Sequence, residues 1–456
     1  MTLDQLTHGT TGLAVGYGLT GLPLLATLIA RRASFKKFLY APLTAAVALM
    51  AAALLWSGVT WFWKSRGMVM PPQVMLLSAG LFFVLIGVLA GVMTSLRASG
   101  DAIKRGSILE DGRAAQTMTR QWKRQNADGI TLASIGMSTE DEKKHTKILG
   151  TTGTGKSTAI REIVGAALAR GDRLVIADPD GGYLQRYYSE KRGDIILNPF
   201  EAHSHTWDLF AEIQQPFDVE QIARSLIPDD EGADRSWRGY ARTYVTAITR
   251  QLWELGKRDA SMATVSELYR LITIASSEEL RLLVANTPAQ PFLEGGNERM
   301  FGSIRSVASA HLAALEHTAN QSCRSFAIRN WIREGRAGVL FLPYSASQIA
   351  GLRSTISAWM RLAIFGTMSG PERDRGLWFV IDELDALGQI DGLKDALARL
   401  RKFGGRCVLG FQSIAQVSGT YVQSDAQTIV ENCGNTLMLR CSASENGGTA
   451  RLASAK

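Results

Sequence analysis

Eight consecutive residues, 150–157, combine glycines, a lysine and a serine at a spacing suited to binding phosphate groups. They read G-T-T-G-T-G-K-S, which matches the phosphate-loop pattern G-x-x-x-x-G-K-S. Glycines allow successive backbone N–H groups to approach phosphate oxygens, and the positive end of a following helix adds to the attraction. We expect Lys156 to reach the β and γ phosphates of a nucleotide, and Ser157 to bind Mg²⁺ through its hydroxyl. The predicted cofactor-binding residues are Gly150, Thr151, Thr152, Gly153, Thr154, Gly155, Lys156, Ser157 and Thr158.

The residues on either side of this loop supply the elements that its chemistry needs. An apolar run at 147–149 predicts a strand that ends at the loop. Residues 158–169 have helical periodicity and end before Arg170-Gly171. Strand, loop and helix thus follow one another in the order of a phosphate-binding site. The alternative is a glycine-rich turn that binds no ligand.

Two adjacent carboxylates end a second apolar run. Residues 377–383 read L-W-F-V-I-D-E, which is typical of a buried strand followed by two acids. In an ATPase, Asp382 would hold hydrated Mg²⁺, and Glu383 would orient or deprotonate the attacking water. The alternative is that Asp382 only caps a following helix. The phosphate loop upstream favours the ATPase interpretation, with ATP and Mg²⁺ as cofactors.

Other polar residues lie where the ligands of an open α/β sheet collect. Residues 407–411 predict a strand that ends at Gln412, which could sense the γ-phosphate or could bind backbone. The helix predicted before that strand ends in Arg399, Arg401 and Lys402, and cations are expected there from the helix dipole. The residues alone do not distinguish that ordinary role from an arginine supplied to a neighbouring subunit's nucleotide.

Apolar runs with strand character at 147–149, 173–178, 339–342, 377–383 and 407–411, separated by helical segments, predict an α/β fold with a parallel sheet. The run at 173–178 ends in D-P-D-G, and one interpretation of its acids is that they only cap the loop. The chain from about 217 to 317 lacks strands and predicts an inserted all-α domain. Within it, residues 236–257 place aromatic and aliphatic side chains on one helical stripe, which favours a core over base stacking. Ser276 and Glu279 resemble a capping box that opens the next helix.

The first hundred residues contain long apolar segments. Residues 38–63 and 67–96 carry no charge, and each run exceeds the ~20 residues that a helix needs to cross a bilayer. Residues 9–30 are also uncharged, but five glycines and Pro23 weaken their helix. A cleaved signal peptide is disfavoured because the first eight residues contain Asp4 and no Lys or Arg. The sequence therefore predicts a membrane anchor of two or three crossings.

Basic residues predict the orientation of this anchor. Arg31, Arg32, Lys36 and Lys37 lie in the first short loop, and a further basic run follows the last apolar segment. The positive-inside rule places both on the cytoplasmic face, together with the rest of the chain. The net charge of +8 arises mainly in the first hundred residues, so it is no evidence for DNA binding.

Composition excludes several other classes of protein. An apolar share of 46% and a charged share of 20% exclude a disordered or fibrous chain. The four cysteines form no C-x-x-C pair, so neither a zinc cage nor a disulfide framework is implied, and reduced cytoplasmic thiols are expected. His203 and His205 form an H-x-H pair, which is a weak signal for a metal site without further ligands.

The order of these motifs resembles the coupling proteins of conjugative type IV secretion. The resemblance rests on the apolar anchor, G-T-T-G-T-G-K-S, D-P-D-G, I-I-L-N-P-F at 195–200, the helical insertion, I-S-A-W at 356–359, V-I-D-E-L and G-F-Q-S. It covers most of residues 105–444. The family implies a RecA-like P-loop ATPase that assembles as a homo-hexamer on the bacterial inner membrane. Such proteins bring relaxase-bound DNA to the secretion channel proteins and are thought to pump single-stranded DNA, with double-stranded DNA as a further possible substrate.

The resemblance also implies roles for single residues. Lys156 and Ser157 match the phosphate loop, Asp382 and Glu383 the second acidic motif, and Gln412 the sensor. The predicted catalytic residues are thus Glu383, Lys156, Arg401 and Gln412, of which Arg401 matches an arginine that reaches across the subunit boundary. The metal ligands are Ser157 and Asp382.

The family usually continues beyond the apolar run at 436–439, so a truncated and a naturally short version both remain open. The predicted divisions are an anchor at 1–100, a basic linker at 101–145, a RecA-like domain at 146–214 and 321–456, and the all-α insertion at 215–320. Two alternatives to a DNA-translocating secretion ATPase stay open. One is a membrane-anchored chromosome-segregation pump, which the insertion disfavours, and the other is a recruitment adaptor that does not hydrolyse ATP.

Overall fold

The computed structural model describes residues 10–31, 35–69, 71–95, 112–228, 235–371 and 376–439. The chain divides into two compact units, Met1–Leu109 and Glu110–Lys456. All the predicted site residues lie within the described ranges. Cys441, the first part of the predicted basic linker and the last seventeen residues lie outside them.

The first unit contains three long apolar helices. They are α1 (Thr10–Ala30), α2 (Phe35–Ser65) and α3 (Pro72–Ser95). All three are long and apolar enough to cross a membrane, including the glycine-rich first segment. Small residues let α1 and α3 approach closely, because a Cβ at Gly87 would overlap the Thr20 carbonyl and a Cβ at Gly91 would overlap Thr27. This G-x-x-x-G packing is typical of membrane helices, and the unit is consistent with a transmembrane anchor.

The second unit begins with a helix and a hairpin. These elements are α4 (Gly112–Gln125), β1 (Thr131–Leu132), β2 (Ile135–Gly136) and α5 (Thr139–Glu142). The indole of Trp122 on α4 packs on the hairpin, where a Cβ at Gly129 or Gly136 would overlap the ring. The predicted linker therefore contains folded elements that are attached to one another.

A seven-stranded parallel sheet forms the centre of the second unit. Its strands are β3 (Thr146–Leu149), β4 (Arg173–Pro179), β5 (Ile195–Ile196), β8 (Val339–Tyr344), β9 (Leu377–Ile381), β10 (Arg406–Phe411) and β11 (Asn435–Met438). The order is β11-β3-β10-β9-β4-β8-β5, and every neighbouring pair is parallel. Strand β10 thus separates the strand before the phosphate loop from the strand before the acidic pair. All five predicted strands are present.

Alternate residues of the central strands enter two different cores. Trp378 and Val380 of β9 pack on one side of the sheet with α6 (Lys156–Ala169) and α7 (Gly182–Tyr187), whereas Phe379 packs on the other. Because successive side chains of a strand point to opposite faces, a strand that is apolar at every position requires cover on both sides. The predicted α/β fold is confirmed.

The insertion consists of helices over the residues that the structure describes between Pro216 and Ala319. They are α8 (Pro216–Leu226), α9 (Arg235–Gly256), α10 (Val265–Thr273), α11 (Ser277–Leu283), α12 (Glu298–Leu312) and α13 (Leu315–Ala319). Tyr244, Ile248 and Leu252 of the predicted stripe on α9 are buried, and Ser276 caps α11 as expected. The predicted all-α insertion is therefore present.

Both ends of the insertion meet at one place. Strand β6 (Thr206–Trp207) pairs with β7 (Ser325–Phe326). Glu212, at the entrance, accepts hydrogen bonds from the backbone N–H groups of Ile328 (2.6 Å) and Arg329 (2.9 Å) at the exit. Burial raises the pKa of Glu212 to about 7.

The helices that follow are α14 (Ile328–Glu334), α15 (Ile349–Met368), α16 (Leu393–Leu400), α17 (Ile414–Thr420) and α18 (Gln423–Asn432).

Candidate nucleotide site

Glycines shape the loop between β3 and α6. Gly153 and Gly155 have φ values of 78° and 97°, a left-handed conformation that other residues adopt only with strain. Gly150 leaves room for Thr154, whose hydroxyl donates to the Thr151 carbonyl at 2.7 Å and closes the loop. Helix α6 begins at Lys156, directly after the loop. The loop and the positive end of α6 therefore have the arrangement that binds phosphates.

The carboxylate of Asp382 brings the loop and the acidic motif together. The Ser157 hydroxyl donates to Asp382 Oδ2 at 2.7 Å. The Lys156 ammonium lies 3.3 Å from Oδ1 and donates to the backbone oxygen of Asp382 at 2.7 Å. Asp382 does not cap a helix, because the short turn after it, Asp385–Leu387, has no side-chain cap. Both side chains of the predicted metal site therefore lie within hydrogen-bonding distance of each other.

Oxygen donors at this point suit Mg²⁺. The ion prefers carboxylate and hydroxyl oxygens and keeps several waters. Asp382 is 3% exposed, and its Oδ1 atom is buried and accepts no hydrogen bond from the described residues. That oxygen and the Ser157 hydroxyl fit a hydrated ion. No group of three His, Cys, Asp or Glu side chains able to hold a metal occurs in the described residues, so His203 and His205 do not form such a group.

Glu383 and Gln412 line a cleft together with the phosphate loop. The Gln412 amide donates to Glu383 Oε1 at 3.3 Å. The cleft has a volume of about 300 Å³. It is lined by Thr151, Thr152, Gly153, Gly155, Lys156, Ser157, Thr158, Glu383 and Gln412. Of the predicted loop residues, Gly150 and Thr154 lie behind this lining and support the loop.

A buried tyrosine and aspartate hold Asp382 from the side of β4. The Tyr183 hydroxyl donates to Asp382 Oδ2 at 2.8 Å. The carboxylate of Asp178 accepts from the backbone N–H groups of Tyr183 (3.0 Å) and Leu184 (2.6 Å) and so fixes the start of α7. Burial and the charge of Asp382 raise the pKa of Asp178 to about 6, although its backbone hydrogen bonds act in the opposite direction. The same two causes raise the pKa of Tyr183, which therefore remains a neutral donor.

Arg401 does not reach this cleft. It lies exposed in the turn Arg401–Phe403, close to the amino end of β10, whereas the cleft lies at the carboxyl ends of the strands. Arg401 lies near His145, the residue before β3. Burial lowers the pKa of His145 to about 4, and the charge of Arg401 acts in the same direction. Arg401 is therefore at the opposite edge of the sheet from Lys156 of its own chain.

Comparisons with known proteins assign the family. A family model for the type IV secretion-system coupling protein DNA-binding domain matches residues 129–454. The chain belongs to this coupling-protein family.

Individual relatives agree with this assignment. Coupling protein TraD of Escherichia coli (strain K12) is 32% identical over 322 residues, which are 69% of this chain and 44% of TraD. The type IV secretion system-coupling protein VirD4 of Bartonella quintana (strain Toulouse) is 23% identical over 62% of this chain and 48% of VirD4. The chain thus spans less than half the length of either relative.

Solved structures of the plasmid coupling protein TrwB have the same fold. TrwB in complex with ADP and Mg²⁺ is 33% identical, with a TM-score of 0.66 over 73% of this chain and 77% of TrwB. TrwB in complex with the non-hydrolysable ATP analogue ADPNP is 33% identical, with a TM-score of 0.65 over 73% of this chain and 78% of TrwB. The RecA-like architecture expected from the motif order is therefore confirmed.

Two residues of the coupling-protein site, Tyr183 and Gly410, were missed by reasoning from motifs. The loop cap considered for Asp178 is present at the start of α7, but the motifs do not predict that Tyr183, which Asp178 positions, donates to Asp382. Gly410 of β10 was also missed, and a Cβ there would overlap the backbone oxygen of Asp382. These residues stand in D-P-D-G-G-Y at 178–183 and at the glycine of C-V-L-G-F. Their contacts with Asp382 can be inferred only once β4, β9 and β10 are known to be neighbours.

The segment after Glu383 is tied to the insertion by a buried arginine. Arg361 of α15 donates to the backbone oxygen of Asp391 at 3.1 Å. On α8 it donates to the Gln221 backbone oxygen (3.2 Å) and to the Ser225 hydroxyl (3.0 Å). These contacts connect the insertion with the segment that begins at the acidic pair.

Proposed function

We propose that this coupling protein binds ATP with Mg²⁺ in the cleft and hydrolyses it. The observation that carries the proposal is the convergence of Lys156, Ser157 and Asp382 beside the phosphate loop, with Glu383 lining the same cleft. The similarity to TrwB structures in complex with ADP and Mg²⁺ and with ADPNP supports it.

Each side chain has a distinct task in this reaction. Backbone N–H groups of the loop and the Lys156 ammonium bind the phosphates and offset their growing charge, since phosphoryl transfer depends mainly on positioning and electrostatic stabilisation. Lys156 exchanges its contacts with Asp382 for phosphate oxygens. Ser157 and Asp382 would hold Mg²⁺, which would neutralise negative charge on the phosphate oxygens. Tyr183 keeps the Asp382 carboxylate in place.

Glu383 and Gln412 act on the water. Glu383 orients the attacking water or accepts its proton. Gln412, which donates a hydrogen bond to Glu383, responds to the presence of the γ-phosphate and changes the position of the Glu383 carboxylate. The pair thus makes hydrolysis depend on a correctly bound nucleotide.

The same proposal includes assembly and transport. Arg401 is too far from the cleft of its own chain to act there, so it serves the nucleotide of an adjacent subunit in a homo-hexamer. The assembly is anchored in the bacterial inner membrane by α1, α2 and α3, with the second unit in the cytoplasm. It receives relaxase-bound DNA and drives single-stranded DNA into the type IV secretion channel. The family match favours this function over chromosome segregation.

The test uses the purified full chain, with ATP, Mg²⁺ and single-stranded DNA. Turnover should rise with DNA and with protein concentration. Glu383→Gln should bind ATP normally and lose turnover by at least about a hundredfold, because the water is no longer activated. Glu278→Gln, an exposed residue of α11, is the matched control. Turnover that is indifferent to DNA and to Glu383→Gln would instead favour a recruitment adaptor.

A further inference from the structure

Helix α4 carries its arginines on one face. At 100° per residue, Arg113, Arg120 and Arg124 lie within about 40° of one another around the helix axis. Trp122 lies on the opposite face, where it packs on the hairpin glycines. The Thr119 hydroxyl also accepts a hydrogen bond from the Gly136 N–H at 3.0 Å. The rotation of α4 is therefore fixed, and the arginine face is directed away from the hairpin.

This arginine face is exposed and uniformly basic. All three arginines are exposed, as is Lys123 beside them, and α4 contains no Asp or Glu. The helix dipole accounts for cations in the last turn only, so it does not explain Arg113 in the first. A stripe of one sign that spans three turns is an electrostatic feature that fits a surface of negative charge.

The position of α4 along the chain favours one such surface. Sixteen residues separate the end of α3 at Ser95 from the start of α4 at Gly112, and they can extend to at most about 55 Å. Basic segments next to a membrane crossing are attracted to the anionic lipids of the cytoplasmic leaflet. The exposed face also lacks an aromatic side chain for base stacking, because Trp122 faces inward. Lipid phosphates therefore fit this face better than nucleic acid does.

We propose that Arg113, Arg120 and Arg124 bind the headgroup phosphates of anionic phospholipids and dock α4 on the membrane surface. The proposal rests on the membrane anchor and not on ATP hydrolysis, so failure of one leaves the other intact. Docking would hold α4 at the bilayer surface. It would also make the attachment depend on lipid composition and on salt.

The experiment follows hydrogen exchange of residues 112–125 in the full chain, reconstituted in two kinds of vesicle. One contains phosphatidylcholine alone, and the other contains phosphatidylcholine mixed with phosphatidylglycerol. We expect exchange to be about tenfold slower with phosphatidylglycerol, and this difference to disappear at high salt. The variant R113Q/R120Q/R124Q should show no difference, whereas R113K/R120K/R124K should keep it.

Controls separate docking from net charge and from misfolding. The variant R186Q/R258Q/R299Q removes three exposed arginines elsewhere and should keep the full difference. Exchange of β3 shows whether each variant is folded. Equal exchange of α4 in both vesicles, or equal loss in this control, would overturn the proposal. So would slower exchange with single-stranded DNA but not with phosphatidylglycerol, which would assign the face to nucleic acid.

Discussion

Buried charges lie at both ends of the parallel strands of the seven-stranded sheet. We call the side where the strands begin the amino edge and the side where they end the carboxyl edge. The charges on the two sides are neutralised in different ways. At the amino edge, Arg170 forms a bidentate ion pair with Glu142, with N–O distances of 3.0 and 2.9 Å. It forms a second ion pair with Asp172 at 2.5 Å. The Trp378 indole also donates to Asp172 at 2.9 Å. Arg406 lies 3.8 Å from Glu142 and over the Trp378 ring. We call this cluster closed, because its charged side chains contact one another.

At the carboxyl edge, one carboxylate serves several partners beside an open cleft. Lys156, Ser157 and Tyr183 all contact Asp382, and Asp178 behind them has a raised pKa. Here phosphate oxygens and Mg²⁺ can replace contacts that the protein makes to itself, because the glycine loop gives them access.

The difference teaches that buried ion pairs alone do not identify a functional site. At the amino edge the charged side chains contact one another, so we expect them to stabilise the sheet. Arg401 also lies at that edge but is exposed, and under the proposed function it acts on another subunit. Substitutions at the two edges should accordingly affect different measurements.

Lys156→Ala should have the largest effect, because it removes the cation that stabilises the transferred phosphoryl group. We expect ATP turnover to be abolished and membrane insertion to be unchanged, as measured by phosphate release and by fractionation. Lys191→Ala, an exposed lysine, is the control. Retained turnover would remove the assignment of this loop.

Arg401→Ala tests whether this exposed arginine at the amino edge acts on the nucleotide of another subunit. An arginine supplied between subunits typically contributes about 10³-fold or more to turnover, so we expect a loss of that order with ATP binding unchanged. Wild-type activity should rise steeply with protein concentration. The adjacent Lys402→Ala variant should remain active. Unchanged specific activity in Arg401→Ala would exclude the role between subunits.

Glu142→Gln tests whether the closed cluster stabilises the fold. It removes one of the two buried carboxylates that pair with Arg170 and the carboxylate near Arg406, which should lower the free energy of opening by about 3 kcal/mol, measured by hydrogen exchange of β4 and β10. Glu140→Gln on the same helix breaks only an exposed pair with Lys143 and should change it by less than about 0.5 kcal/mol. ATP binding should persist. A larger effect on binding than on stability would contradict the comparison.

Asp178→Asn should have the smallest effect. Because burial raises the pKa of Asp178 from 3.8 to about 6, the unfolded chain releases this proton at lower pH than the folded chain does. The free energy of unfolding should therefore fall as pH rises from about 4 to about 6, by about 2 kcal/mol from this group. Urea unfolding of the full chain across this range should show a shallower slope in Asp178→Asn. Asp180→Asn, on the same turn, should keep the wild-type slope.

Much of the site could be predicted because its signals are local. The glycines at 153 and 155, the helix after them and the acids after β9 follow from backbone geometry and from apolar periodicity over a few residues. Arg170 and Asp172 carried no such signal. They read as the end of a helix and the start of a strand, and their partners lie far away in the sequence at Glu142 and Trp378.

The sequence by itself determined the phosphate loop, the strands and helices around it, the helical insertion and the apolar lengths of the anchor. Only the tertiary structure decided that Tyr183 joins Ser157 at Asp382, that Gln412 bonds to Glu383, and that Arg401 lies at the other edge of the sheet. The reason is the strand order. Ser157 and Asp382 are 225 positions apart, and they meet because parallel strands bring their carboxyl ends to one edge, which no local pattern specifies.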